Sequence, residues 1–305
     1  MPAVSIIIPT YNHRSFVLET LDSVFAQTFA DYEVIVVNDG SPDDTAEVLR
    51  PLAEAGRIRY FDQRNQGQAA ARNRGLAEAR GEFIALLDDD DLWPAGKLEW
   101  QVAVMREAKE AGVVCGQKCY LGDSHFEPIA APAEPLLEAF VTRNRIQSPG
   151  QTLVRASVLK RVGGFDVDIW GADDWDLWLR LAAATEFAFR EEPALIHRRH
   201  AGNASRHFLR MHANAHKVLR KHLGSLPPEH ARRLWLSARF FVNDFTTGEG
   251  FEAASKFLLA GEPMSSIRAL AGVARIRPRL LLTRRYLRAA GSAIAQVFSA
   301  APASR

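Results

Sequence analysis

An α/β fold, with a mostly parallel central sheet and helices on both faces, is predicted for residues 1–205, followed by a helical C-terminal region over 206–305. Three observations carry this expectation. Short apolar runs alternate with segments of helical periodicity through the first part of the chain, the pattern of βαβ units. The runs at Val4 to Ile8, Glu33 to Val37 and Phe83 to Leu87 are continuous rather than alternating, as strands buried on both faces are. Beyond residue 205 the periodicity is helical throughout.

Val4 to Ile8 is β-branched and is expected to end at Pro9, which has no N–H to give a ladder. Phe16, Leu18, Leu21, Val24 and Phe25 then recur at helical spacing, and the second strand ends at Asn38-Asp39-Gly40-Ser41. A helix from Pro42 to Ala55, a strand from Arg57 to Phe61 and a helix from Gly67 to Ala79 lead to the strand that runs into Asp88, Asp89, Asp90 and Asp91. Pro94 to Ala111 reads as a helix and Val113 to Leu121 as a strand. Gly122 to Pro135 reads as a loop over the cleft. A strand at Gln151 to Val154 precedes a short helix stopped by Gly163-Gly164. Asp173 and Asp174 open a helix carrying Trp175, Trp178, Leu179 and Ala182 on one face, with Asp176 as a surface acid. A last strand spans Glu186 to His197. Helices are then expected at Ser205 to Leu223, Pro228 to Asn243, Glu249 to Leu259 and Arg279 to Phe298.

With 305 residues, 47% hydrophobic and 24% charged, the composition is that of a globular protein and speaks against a disordered chain. No apolar run reaches the ~18 residues that a membrane-spanning helix needs, and the N-terminus lacks a basic n-region and a cleavage site. Cys115 and Cys119 are too few for a disulfide framework and are read as reduced core thiols, which suits a cytoplasmic protein. The net charge of +2 divides unevenly: from Pro263 onward there are eight arginines and no acid. An amphipathic reading of 279–298 sets Leu282, Tyr286, Leu287, Ala290, Ile294, Val297 and Phe298 on one arc and Arg284, Arg285 and Arg288 on the other. That arrangement suits either an anionic membrane surface or docking on the rest of the protein. His212 and His216 have the i, i+4 spacing of metal ligands, but without an accompanying acidic motif they read as a solvated face.

In a parallel sheet ligands bind outside the carboxyl ends of the strands. Pro9-Thr10-Tyr11-Asn12, Asn38-Asp39-Gly40-Ser41 and the four aspartates all fall at such ends and so converge on one cleft. Four consecutive carboxylates call for a cation, and a hard divalent metal that bridges phosphates would meet that need.

These residues resemble glycosyltransferase family 2, of GT-A fold. The matching signatures are Ile8-Pro9-Thr10-Tyr11-Asn12, Val36 to Ser41, Ala71-Arg72-Asn73-Arg74-Gly75, Leu87 to Asp91, Val162-Gly163-Gly164-Phe165-Asp166 and Asp173-Asp174-Trp175, with His200 and Ser205 matching a later motif. The resemblance implies an inverting, metal-dependent transferase. It would move a sugar from a nucleoside-diphosphate sugar, a UDP-sugar foremost, to an acceptor hydroxyl on a glycan or lipid-linked acceptor in cell-surface polysaccharide assembly.

Carried over residue by residue, the resemblance sets Pro9, Thr10, Tyr11, Asp39 and Arg72 around the nucleotide's base. Asp88 and Asp90 hold ribose and a divalent metal (Mg2+ or Mn2+), and His200 supports the metal or diphosphate. Asp174 is the base that takes the acceptor's proton. Asp173, where the family has Glu, and Trp175 are acceptor or supporting residues. Asp89 is expected to face away, Asp91 to reach the site or cap the helix near Pro94, and Asp176 is the fallback base. Nucleic acid is not an implied partner. The alternative reading is a catalytically silent nucleotide-sugar-binding scaffold, which possession of both acid sets disfavours, and behind it a sugar nucleotidyltransferase, which would carry a glycine-rich loop after the first strand, where this chain has Thr10-Tyr11-Asn12-His13-Arg14.

Overall fold

The protein's structure, a computed structural model, describes residues 1–200, 207–224 and 226–300. The chain forms two compact units, Met1–Ile169 with Asp173–Arg199, and Trp170–Ala172 with the residues from His200 onward. The expected boundary residue 205 lies outside the described residues.

In the first unit the elements run β1 Val4–Thr10, α1 Arg14–Phe25, β2 Tyr32–Asn38, α2 Thr45–Glu54, β3 Arg59–Asp62, α3 Gln68–Glu78 and β4 Phe83–Leu86. They continue with α4 Lys97–Glu107, β5 Ala111–Tyr120, α5 Leu136–Thr142, β6 Thr152–Arg155, α6 Ala156–Val162, α7 Asp173–Ala182 and β7 Glu186–His197. The seven strands form one sheet in the order β3-β2-β1-β4-β6-β5-β7, parallel except for β6, which runs antiparallel to both neighbours.

The central strands are buried on both faces, as their unbroken apolar runs require: Val4, Ile6, Ile7, Ile8, Ile35, Val36, Val37, Phe83 and Ala85 have no exposed surface. β1 does not stop at Pro9 but continues to Thr10. Pro9 lies past the last β1–β4 pair, Ile7 with Leu86, so its missing N–H interrupts no ladder on that side. α5 is a helix that the Pro- and Gly-rich stretch before it concealed. Cys115 and Cys119 are free and buried.

The second unit contains α8 Phe208–Leu223, α9 Pro228–Leu259, α10 Pro263–Ile276, a 3-10 turn at Pro278–Leu282 and α11 Arg284–Ala300. Its core is Phe208, Phe251, Ala253, Ala254, Ala269, Leu270 and Val273. Two expected helices, Pro228 to Asn243 and Glu249 to Leu259, are one continuous helix. Within the expected break the buried Thr246 and Thr247 keep the helix going, their hydroxyls donating back to the carbonyls of Val242 and Asn243, each at 2.7 Å. α10 was absent from the sequence reading, although Pro263 sits at its first turn where Pro is tolerated. His212 and His216 are not on a solvated face. Their rings pack edge to face at 4.5 Å, His212 Nδ1 meets Thr246 Oγ1 at 3.1 Å, and burial, then the neighbouring His216 and Arg239, push the His212 imidazole down to about 4.

Candidate functional site

The register of the sheet sets the site. Thr10 pairs with Asn38, the Asp39 N–H donates to the Thr10 carbonyl at 2.9 Å, and the Leu87 N–H donates to the Ile7 carbonyl at 3.1 Å. The carboxyl ends of β1, β2 and β4 therefore lie side by side, and the segments leaving them meet in space.

Pro9 and Thr10 are buried in the end of β1, while Tyr11 is 45% exposed just beyond it. Asn12 has φ 57, a left-handed conformation that Asn tolerates better than most residues. Its N–H donates to Ser41 Oγ at 2.9 Å, and Ser41 Oγ donates to Asn38 Oδ1 at 2.5 Å, which ties the loop after β1 to the loop after β2. Asp39 is buried and organises the approach to α3. Its Oδ1 accepts from Gln63 Nε2 at 2.7 Å and the Gln66 N–H at 2.9 Å, and its Oδ2 from the Gly67 N–H at 2.8 Å. Gly40 is required here: its φ is 73, and a Cβ would stand 2.9 Å from the Asn65 nitrogen.

The four aspartates have different partners. Asp88 Oδ1 accepts from Arg72 at 2.6 Å and from Gln68 Nε2 at 3.1 Å. Asp89 does not face away: its two oxygens take the Tyr11 N–H at 3.2 Å and His13 Nδ1 at 2.9 Å. Burial raises its carboxyl, and the bond to His13 opposes the rise. Asp91 neither reaches outward nor caps α4, which starts at Lys97 behind Gly96. It is buried against the end of β7, where Oδ1 lies 2.9 Å from His197 Nδ1 and accepts the Arg198 N–H at 2.9 Å. Asp90 is buried among these groups, and the ligand atoms of His13, Asp89 and Asp90 lie within 4.8 Å of one another.

Arg72 is the link to the second acid set. It is 3% exposed, and beside its bond to Asp88 it donates to Asp173 Oδ2 at 2.7 Å. The fork of the guanidinium thus spans two carboxylates from distant parts of the chain. Asp173 and Asp174 occupy the first turn of α7, where backbone N–H groups favour negative charge. Burial dominates nevertheless. The Asp174 carboxyl is pushed up to about 8 by desolvation and by the charge of Asp173, against the pull of Arg72. Asp173 is likewise raised by burial, with Arg72 opposing.

Trp175 turns into the core, its Nε1 donating to the Phe140 carbonyl at 2.7 Å, so it braces α7 from within. Asp176 is not a surface acid. It is fully buried and paired at 2.9 Å with Arg180, whose guanidinium donates to the carbonyls of Val162, Gly163 and Gly164. That arrangement gives the Gly163-Gly164 turn and the Asp173-Asp174-Trp175 helix a common brace. His200 begins the second unit and is half-buried; Ser205 lies outside the described residues. Sequence reading missed His13, Gln68, His197 and Arg198. Only the ionisable run from His197 to His200 hinted at the last two. An open groove of about 550 Å³ at the other edge of the sheet gathers none of these residues, and its Arg155 and Arg161 are spent on the carbonyls of Met105 and Ala184.

Comparison with known proteins bears on the family and the fold. The family described as Glycosyl transferase family 2 matches residues 5–163, just over half of the chain. The uncharacterized glycosyltransferase RT0329 of Rickettsia typhi is 33% identical over 214 residues, which are 65% of this chain and 64% of that protein; the chain thus spans less than two thirds of that relative's length. Among solved structures, S. aureus TarS 1-349 in complex with UDP-GlcNAc matches with a TM-score of 0.62 and 19% identity over 96% of this chain and 88% of that one. The mannosyltransferase PcManGT from Pyrobaculum calidifontis, in complex with GDP-Man and Mn2+, matches with a TM-score of 0.60 and 21% identity over 98% and 86%. At such identity the two structures speak for the fold, which is GT-A.

Proposed function

The chain belongs to glycosyl transferase family 2, and from that premise we propose that it is an inverting, metal-dependent glycosyltransferase. It moves a sugar from a nucleoside-diphosphate sugar, with a UDP-sugar as the expected donor, to a hydroxyl of a glycan or lipid-linked acceptor in cell-surface polysaccharide or glycan assembly. The observation that supports this reading most is Arg72, whose one guanidinium joins Asp88 on the donor side to Asp173 at the start of the helix that carries Asp174.

In this reading Tyr11 offers its exposed ring to the base, and Thr10 and Asp39 shape the base's surroundings. Asp88 and Asp90 hold the ribose and a divalent cation. The residues present fit such an ion. Their donors are hard carboxylate oxygens, and the ligand atoms of Asp90, Asp89 and His13 come within 4.8 Å of one another, close enough to share one ion. When bound, Mg2+ or Mn2+ would neutralise charge on the departing diphosphate. The part assigned to His200 rests on the resemblance alone.

Asp174 accepts the proton of the acceptor hydroxyl as its oxygen bonds to the anomeric carbon and the bond from that carbon to the diphosphate oxygen breaks. Attack opposite the leaving group inverts the anomeric centre. Incubation with UDP- and GDP-sugars, Mn2+ and candidate glycan acceptors tests the reading. We expect metal-dependent release of a nucleoside diphosphate and a product of inverted configuration. Release of pyrophosphate, or binding without turnover over all donors and acceptors, would contradict it.

The proposed location is cytoplasmic, on the inner face of the membrane. Among the described residues no helix is long and apolar enough to cross a membrane. The contact with lipid is made by the C-terminal helix, on a different face from the one the helical wheel suggested. The expected arc splits, because the 3-10 turn takes Leu282 off the helix and α11 packs inward through Tyr286, Ala289, Ala290 and the fully buried Ala293. The Tyr286 hydroxyl donates to the Leu270 carbonyl at 3.2 Å. Left outward are Leu282 at 88% exposure, Leu287 at 60% and Ile294 at 48%, with Arg279, Arg284 and Arg288 exposed among them. Apolar side chains interleaved with arginines suit the headgroup region of an anionic bilayer. Flotation with phosphatidylglycerol vesicles should recover the intact chain and lose most of a Leu282→Gln/Leu287→Gln/Ile294→Gln variant. Equal recovery of both chains would remove the membrane from the account.

A further inference from the structure

Around the aspartate turn every backbone carbonyl lies within reach of a donor. The Asp88 carbonyl accepts the Asp91 N–H at 3.2 Å. Thr20 Oγ1 lies 2.9 Å from the carbonyls of Asp89 and of Asp91. The Asp90 carbonyl accepts Arg198 Nε at 3.0 Å. Arg198 is in turn fixed from three sides, by its own N–H on Asp91 Oδ1, by the ion pair of its guanidinium with Glu19 at 2.5 Å and by stacking 4.9 Å from the Phe16 ring.

The stretch around Leu92 and the end of β7 are locked as well, since Leu92 and Ile196 exchange both backbone hydrogen bonds, at 3.0 and 2.9 Å. The Asp91 carboxylate sits at the middle of this arrangement, 1% exposed, between His197, the Arg198 N–H and Ser148 Oγ, the last at 3.5 Å. It faces the sheet and not the cleft. One of its partners, Arg198, also grips the main chain of its neighbour Asp90.

We infer that Asp91 is a positioning residue: through Arg198 it holds the Asp90 backbone, and so aims the Asp90 carboxylate at the metal and diphosphate, without touching either ligand. The inference rests on the donor-site reading above. It assigns different work to adjacent acids of one motif, which composition alone cannot separate. A carboxylate is needed for this because two donors, the His197 ring and the Arg198 N–H, converge on it. Both meet Oδ1, at 2.9 Å each, so Asn would keep an acceptor there but lose the negative charge that pairs with the His197 imidazole.

The test is a double-mutant cycle on Mn2+-dependent UDP binding, measured by calorimetry for the wild type, Asp91→Asn, Asp90→Ala and the double variant. Loss of an outer partner of a metal ligand costs about 10- to 100-fold in affinity, and Asp91→Asn should fall in that range. In the Asp90→Ala background the same change should cost almost nothing, because the group being aimed is gone. Arg198→Met, a half-buried position that tolerates substitution better, should show the same pattern and serves if Asp91→Asn does not fold. Penalties that add independently of Asp90, or an Asp91→Asn chain that binds UDP as the wild type does, would overturn the inference while the donor site stands. A wild-type chain with no Mn2+-dependent UDP binding would instead sink the donor-site reading and the inference with it.

Discussion

Asp174→Asn is expected to bind the donor as the wild type does and to lose about 10²- to 10⁴-fold in turnover, the range that a positioned general base contributes. The amide has nearly the same shape and can still accept the Trp175 N–H at the first turn of α7, so the loss should fall on kcat rather than on donor affinity. The pH profile gives a second reading of the same group. A base must be ionised, and burial together with Asp173 places this carboxyl at about 8. In the free enzyme kcat/KM should therefore rise with pH and level off above about 8, a limb that the Asn variant lacks.

Stability should move the other way. The folded chain keeps the Asp174 proton up to about 8, whereas an unfolded aspartate releases it near 4. Between those values the folded state binds more protons, so this group's contribution to stability declines as pH rises through the window. Asn has no such decline. The variant should melt higher than the wild type by a margin that grows from about pH 4 to about pH 8 and is flat beyond. An inactive chain that melts with the same pH dependence as the wild type would mean that Asp174 is not the buried, reluctantly ionised acid described here.

Arg72→Met should have the largest effect on the fold. It removes the buried guanidinium that pairs with both Asp88 and Asp173. Breaking a buried ion pair by deleting one member costs about 3 to 5 kcal/mol, because the stranded charges remain. In a domain of this size that is a fall in Tm of about 6 to 20 °C. Arg72→Lys should rescue little, since a single ammonium cannot span two carboxylates as the fork does. Charge makes one further expectation specific: with Arg72 gone, Mn2+ alone should stabilise the variant more than it stabilises the wild type. A Met variant that melts like the wild type would show that the bridge does not form in solution.

Much of the first unit was legible because its information is local. Runs such as Phe83 to Leu87 can only be buried strands, and the polar residues that follow them fall at one edge once the sheet is parallel. The partners of those polar residues were not legible. Arg72 reads as a donor near the base until Asp173 arrives beside it, and nothing in the run of four aspartates tells Asp88 and Asp90 from Asp89 and Asp91. The division comes from a tight turn whose alternate side chains meet His13 on one side and His197 on the other. Asp176 misled because a helix acid is usually solvated, yet here Arg180 and the Gly163-Gly164 turn close over it. In the second unit Thr246 and Thr247 fall where a helix end was expected but sit buried within one continuous helix, their hydroxyls bonded to carbonyls of the preceding turn. The apolar arc of the C-terminal helix was divided by tertiary contacts that no helical wheel contains.

The central claim is that the carboxyl ends of β1, β2 and β4 hold a nucleoside diphosphate together with a divalent metal. Thermal melting with UDP, GDP, TDP and CMP, each with Mn2+ and with EDTA, tests it most directly. The account predicts that a nucleoside diphosphate, UDP foremost, raises Tm by several degrees with Mn2+ and far less with EDTA, at about 2.7 kcal/mol of stabilisation for ligand at a hundred times its Kd. No metal-dependent shift with any of the diphosphates would contradict it.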